Sequence, residues 1–115
     1  MNPNELSTKS ENTWCPGCPN HMILASVKQT ISDLINSGKH NHTDFAMTTD
    51  IGCHAKIFDY LNISGIYCLH GRSIPTAVGM KLGNPNLKVL AFAGDGATYA
   101  EGISHFVHAF KYNAD

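Results

Sequence analysis

Three groups of residues have types and spacings suited to chemistry. The first is Cys15 and Cys18, separated by Pro16-Gly17. That bend lets two sulfurs face one metal while backbone N–H groups turn towards the thiolates. The spacing suits zinc, an iron–sulfur cluster or a redox dithiol, and these two cysteines alone do not separate the three. The second is Gly94-Asp95-Gly96, directly after the apolar run Leu90-Ala91-Phe92-Ala93. In open parallel sheets, ligands sit beyond the carboxyl ends of the strands. Glycines there let a phosphate approach the backbone, and a following helix N-terminus favours anions. A carboxylate at that point repels a phosphate unless a divalent cation bridges them, so Asp95 points to Mg²⁺ holding a diphosphate. The third is His70-Gly71-Arg72, after another apolar run. Arg72 is suited to a phosphate or a substrate carboxylate, and His70 to a hydrogen bond with a cofactor.

Each group also has a plainer account. Asp95 in a tight turn can simply cap a helix, and His70-Gly71-Arg72 can be a polar loop. A dithiol of the thioredoxin-like kind needs an apolar strand leading into the motif, and Ser10-Glu11-Asn12-Thr13 is no such strand, although Trp14 precedes the first cysteine. A closed zinc site needs four ligands, which Cys53 or Cys68 with a histidine would complete. Unliganded thiols stay open for Cys15 and Cys18. Cys68, alone in an apolar strand, reads as a small buried hydrophobe. His105 and His108 could bind a metal in principle, but a polar helix face explains them more simply. Other nucleotide motifs fail: a dinucleotide fingerprint needs glycine where Tyr99 stands, and no P-loop lysine follows.

The elements that must position these groups alternate. Met1–Thr13 reads as a loose polar lead. Asn20 is an expected N-cap of a helix running to about Ser37, with Ile23, Val27, Ile31 and Ile35 on one stripe and Leu24 and Leu34 beside it. Gly38 stops it. Phe45–Thr49 is a short strand, His54–Leu61 a short helix, Ile66–Leu69 a second strand, and Ser73–Leu82 a helix. Asn84-Pro85-Asn86 is a turn. Leu87–Ala93 is the clearest strand, apolar except for Lys88, as expected of a strand buried on both faces. Ile103, Phe106, Val107 and Phe110 mark a last helix. Strands alternating with helices imply an α/β fold with a parallel sheet.

Composition narrows the setting. The chain has 115 residues, 43% hydrophobic, with formal net charge −1. That is ordinary globular composition for one small domain. No basic excess argues for nucleic acid. The polar N-terminus does not read as a signal peptide, and no apolar run approaches the roughly 20 residues of a membrane span. A cytoplasmic setting is therefore expected, in which four cysteines favour metal, cluster or redox roles over disulfides.

Taken in order, Trp14-Cys15-Pro16-Gly17-Cys18, Asp50-Ile51-Gly52-Cys53, Leu69-His70-Gly71-Arg72, Met80-Lys81-Leu82-Gly83-Asn84-Pro85, Gly94-Asp95-Gly96 and His105-Phe106-Val107-His108-Ala109 resemble the beta subunits of 2-oxoacid:ferredoxin oxidoreductases, most nearly the 2-oxoglutarate type. The resemblance covers about residues 14 to 113. It implies the N-terminal part of a three-layer α/β/α thiamine-diphosphate-binding fold. It implies that Cys15, Cys18 and Cys53 match three thiolate ligands of a [4Fe–4S] cluster. Ile51, Gly52, Cys53, His54, His70, Gly96 and Ala97 match positions lining thiamine diphosphate, with Gly71, Arg72 and Gly94 beside them, and Asp95 matches a Mg²⁺ ligand. It implies oxidative decarboxylation of a 2-oxoacid, 2-oxoglutarate or pyruvate, with coenzyme A taking the acyl group, electrons leaving through the cluster to ferredoxin, and an alpha subunit completing the site. No residue here stands out as a general acid or base. Pro19 replaces the family's usual glycine after the second cysteine, Ala97 an aspartate, and Ser104 an asparagine. A fourth cluster cysteine and a further Mg²⁺ ligand are not among these residues, so residues 14–115 read as an incomplete domain, inactive alone, with Leu87–Ala93 left as a sheet edge. The rival reading is a small zinc-binding interaction domain on Cys15, Cys18 and Cys53.

Overall fold

The computed structural model describes residues 1–114. Its frame is a parallel sheet of β1 (Phe45–Thr49), β2 (Ser64–Tyr67) and β3 (Lys88–Phe92) in the order β2-β1-β3. Met47 stands opposite Gly65 on one side and Leu90 on the other. The helices are α1 (Pro19–Asn36), α2 (Ile57–Tyr60), α3 (Ser73–Gly83) and α4 (Ile103–Lys111). This is the α/β fold with a parallel sheet expected from the alternation.

Burial sorts the strands differently from the expectation. β1 is buried along its whole length, whereas β3 is partly exposed and β2 fully exposed. The strand covered on both faces is β1, not the more apolar Leu87–Ala93, because position in the sheet decides coverage. β3 has a paired neighbour on one side only among the described residues. β2 begins and ends two residues before the expected Ile66–Leu69, which frees Cys68 to Gly71 to form the loop beyond it.

The core joins α1, β1 and α2 through Leu24, Ile31, Phe45, Met47, Ile57, Tyr60 and Leu61. Leu24 and Ile31 carry the buried stripe of α1, while Ile23 is 48% exposed. The N-terminal segment is ordered rather than a loose lead. Pro3–Leu6 forms a 3₁₀ turn with an Asn2/Glu5 capping box, Ser7 bridges to Leu61, and Leu6 is fully buried in the core. One apolar side chain in a polar stretch suffices for this, because Leu6 joins the core cluster and leaves water completely. α1 starts at Pro19, with Cys18 rather than Asn20 as N-cap; a proline at the first helical position gives up an N–H that has no partner in the helix anyway. Gly38, at φ +74°, ends the turn after α1 as a left-handed residue. The apolar stripe of the last helix exists, but Val107 and Phe110 on it are exposed.

Candidate functional site

Parallel strands put their carboxyl ends on one side, so the loops after β1, β2 and β3 meet there. They enclose a cleft of about 480 Å³ lined by residues 51–54, His70, residues 94–97, Asn20 and Glu101. Nine expected cofactor-binding positions are thus brought together: Ile51, Gly52, Cys53, His54, His70, Gly94, Asp95, Gly96 and Ala97. A groove of about 530 Å³ between α1 and β3 is larger, but Val27, Ile31, Leu34, Phe45 and Leu90 make it apolar, and it includes Phe45 and Lys88 at the strand ends opposite these loops.

Gly71 and Arg72 are not among the lining residues. Gly71, at φ +66°, packs so closely on the Glu101-Gly102 backbone that a Cβ there would lie 2.7 Å from the Gly102 nitrogen. Arg72 does not line the cleft, and its Nη1 donates to the Glu101 carbonyl at 3.1 Å. Their position ties the His70 loop to the π-helical turn Ala97–Glu101 that follows Asp95. The expected helix after Gly96 is therefore two pieces, this turn and α4.

Asp50 and Ser73 support the cleft from beneath, and Asn20 and Glu101 join its wall. The Asp50 side chain is fully buried at the end of β1. It accepts from His54 Nε2 at 2.6 Å and from Ser73 Oγ at 3.1 Å, which satisfies a carboxylate that burial would otherwise penalise. Thr48 Oγ1 donates to the Ser73 carbonyl at 2.9 Å, so the start of α3 is fastened to β1 at the same place. An aspartate ending a strand with a histidine four residues later is a signal the sequence carried; Asn20 and Glu101 reach the wall through tertiary folding alone. At the last residue of β2, burial, then the nearby Asp59 and Asp50 carboxylates, raise the Tyr67 phenol above its ordinary pKa.

Cys15 and Cys18 occupy a corner that adjoins the cleft through Cys53. Gly17, at φ +76°, turns the chain so that the Cys18 N–H donates to the Cys15 carbonyl at 3.1 Å. Trp14 is buried, its ring edge-to-face with Tyr60 at 4.9 Å between centroids, and its indole N–H donates to the Cys53 carbonyl at 2.6 Å. That bond holds the Cys53 segment beside the Cys15–Cys18 turn. All four cysteines are free; Cys15 and Cys53 are exposed, Cys18 is half-buried, and Cys68 is buried as expected. The three thiols on these adjoining segments fit an iron–sulfur cluster or zinc in donor chemistry. Among the described residues, however, no three His, Cys, Asp or Glu side chains are gathered as a metal-binding group. The glycine-flanked Asp95 in a carboxyl-end cleft fits one hard-oxygen contact to Mg²⁺. No helix among the described residues is long and apolar enough to cross a membrane.

The sequence pattern of the family "Thiamine pyrophosphate enzyme, C-terminal TPP binding domain" matches residues 50–115. The chain is 40% identical over 106 residues to a 2-oxoacid:ferredoxin oxidoreductase subunit beta of Saccharolobus solfataricus, covering 90% of this chain and 33% of that one. It is 37% identical over 102 residues to the 2-oxoglutarate synthase subunit KorB of Archaeoglobus fulgidus, covering 89% and 36%. Among solved structures, it superposes with a TM-score of 0.85 and 30% identity on a 2-oxoglutarate:ferredoxin oxidoreductase from Magnetococcus marinus with 2-oxoglutarate, coenzyme A and succinyl-CoA bound, covering 94% and 36%. The chain thus spans about a third of the length of the curated relatives it matches. A free-standing zinc-binding interaction domain is not favoured by these matches.

Proposed function

We propose, because this chain belongs to the thiamine pyrophosphate enzyme family through its TPP binding domain, that its carboxyl-end cleft holds thiamine diphosphate and Mg²⁺ within a beta subunit of a 2-oxoacid:ferredoxin oxidoreductase. The activity would be coenzyme A-dependent oxidative decarboxylation of a 2-oxoacid, 2-oxoglutarate or pyruvate, with an alpha subunit as partner and ferredoxin as electron acceptor. The observation that carries this reading is the convergence of residues 51–54, His70 and residues 94–97 on one cleft.

Each residue then has a task its position permits. Asp95 offers a carboxylate oxygen to Mg²⁺, and the exposed Gly96 beside it leaves room for a diphosphate. His70 hydrogen-bonds the cofactor from the β2 loop. Arg72 acts at one remove, by holding the Glu101 carbonyl and so the turn after Asp95. Ile51 and Ala97 give the cleft apolar wall. When bound, thiamine diphosphate supplies a nucleophilic carbon and an electron sink for loss of CO₂. Cys15, Cys18 and Cys53 are the residues that would hold a [4Fe–4S] cluster to carry electrons away singly, and a reducing cytoplasm would keep these thiols available.

The test is calorimetry of thiamine diphosphate with and without Mg²⁺ on the full subunit assembly, alongside anaerobic iron and sulfide analysis. Mg²⁺-dependent binding together with iron and sulfide in equal amounts is expected. Zinc in their place and no thiamine diphosphate binding would sink the reading.

A further inference from the structure

The first glycine of Gly94-Asp95-Gly96 is explained at sequence level by the close approach of a phosphate. The structure offers another reason for it. Gly94 does not have a positive φ, so its backbone suits any residue. A Cβ built on it would lie 2.6 Å from both Cε1 and Nδ1 of His54, and its three nearest atoms all belong to that ring. A Cβ built on Gly52 would lie 3.2 Å from the same two ring atoms. The Cε1–Nδ1 edge of the imidazole is thus seated against two glycines, and its Nε2 is held by Asp50. A carboxylate can only accept, so His54 Nε2 donates, and the 2.6 Å bond fixes the ring plane. Asp50 is itself fixed by Ser73 Oγ and sits at the end of the fully buried β1.

We propose that Asp50 and His54 form a strut that runs from the end of β1 to the Gly94 backbone and thereby sets the position of Asp95. Asp50 is a positioning residue acting through His54, and Gly94 is glycine to admit the imidazole. The geometry of the strut stands on its own; its consequence for the cofactor rests on the reading of the cleft proposed above.

The strut is tested by a stability cycle in the full chain. Gly94→Ala is expected to lower the unfolding midpoint, because the ring cannot recede while Asp50 holds it. In the Asp50→Asn/His54→Ala background, which leaves no carboxylate unpaired, the same Gly94→Ala change is expected to be nearly neutral. An equal cost in both backgrounds would overturn the strut. The second measurement is calorimetry of Mg²⁺ with thiamine diphosphate on Asp50→Asn, well below its unfolding temperature. Affinity about tenfold weaker is expected, the lower end of what supporting residues around a metal site are worth. A hydrogen-bonded His54 Nε2–H proton resonance should move upfield in the same variant, a signature that general loss of stability does not produce. Unchanged affinity with the resonance moved would overturn the positioning role. Failure of the unmodified protein to bind thiamine diphosphate would instead overturn the reading of the cleft, and with it the positioning of Asp95 for that ligand, while the stability cycle would still decide the strut.

Discussion

The carboxyl-end cleft and the cysteine corner adjoin each other, and Cys53 belongs to both. They are built to different degrees. In the cleft, protein contacts hold the wall: Asp50 is fully buried and doubly bonded, the His54 ring is fixed, and Gly71 and Arg72 tie one loop to the next turn. In the corner, the backbone is held by the Trp14–Cys53 bond, but the sulfurs are free and ungathered. The difference follows from what each would bind. An organic diphosphate is recognised by shape and a few fixed groups, which a sheet can hold in advance. A metal cluster supplies the bonds that gather its own ligands, so its site is completed on binding.

Removing a wall group and removing a thiol should therefore fail in different ways. The largest effect is expected for Asp95→Ala: a loss of at least about 100-fold in Mg²⁺-dependent thiamine diphosphate affinity, above the range for supporting residues, with iron content unchanged. Calorimetry showing intact affinity would reduce Asp95 to a turn residue. Cys15→Ser should do the converse, removing most of the iron and sulfide and abolishing ferredoxin reduction while calorimetry finds cofactor affinity retained. Full cluster content in that variant would remove the corner's assigned role.

Smaller changes sharpen the boundary between the regions. Trp14→Phe keeps the ring in the core but takes away the donor to the Cys53 carbonyl. A stability loss of about 1 kcal/mol is expected in denaturant titrations, the usual worth of one such bond. Iron content should fall with it, because the Cys53 segment is no longer held beside the Cys15–Cys18 turn; an unchanged iron content would show that the tether is irrelevant to the thiols.

The smallest effect is in alkaline solution. Tyr67, at the end of β2, has its phenol raised above 10.0 by burial and by Asp59 and Asp50, so above that pH the folded state keeps a proton the unfolded chain has lost, and stability falls as pH rises. Lys28, on α1, has its ammonium lowered below 10.5 by burial, so the unfolded chain holds more protons there and stability rises with pH. Both groups are mostly solvated, so the two trends are slight and opposed. Tyr67→Phe should leave the rising trend alone in pH-resolved melting curves; a falling trend in that variant would contradict the assignment.

Local pattern carried much of the architecture. Phe45–Thr49 came out as β1 without adjustment, and α1 and α3 ended within a residue or two of where Gly38 and Asn84-Pro85 placed them. Period and turn chemistry are local properties, legible along a chain. Coverage is not. Leu87–Ala93 has the more apolar sequence, yet β1 with its two threonines is the buried strand, because burial depends on neighbours on both sides. Leu6 was hidden for the same reason, a single apolar residue in a polar segment that reaches the core only through a fold around it.

At the site, residue type and order determined which positions to bring together: a soft-sulfur set, a lone carboxylate between glycines, and a histidine after a strand. Tertiary structure decided their division of labour. It placed Arg72 on a carbonyl instead of in the cleft, buried Asp50 beneath His54, and set the His54 ring against Gly94. A sequence lists donors and acceptors but not distances, and whether a glycine answers to a ligand or to a neighbouring imidazole depends on an approach of a few ångströms between residues forty positions apart.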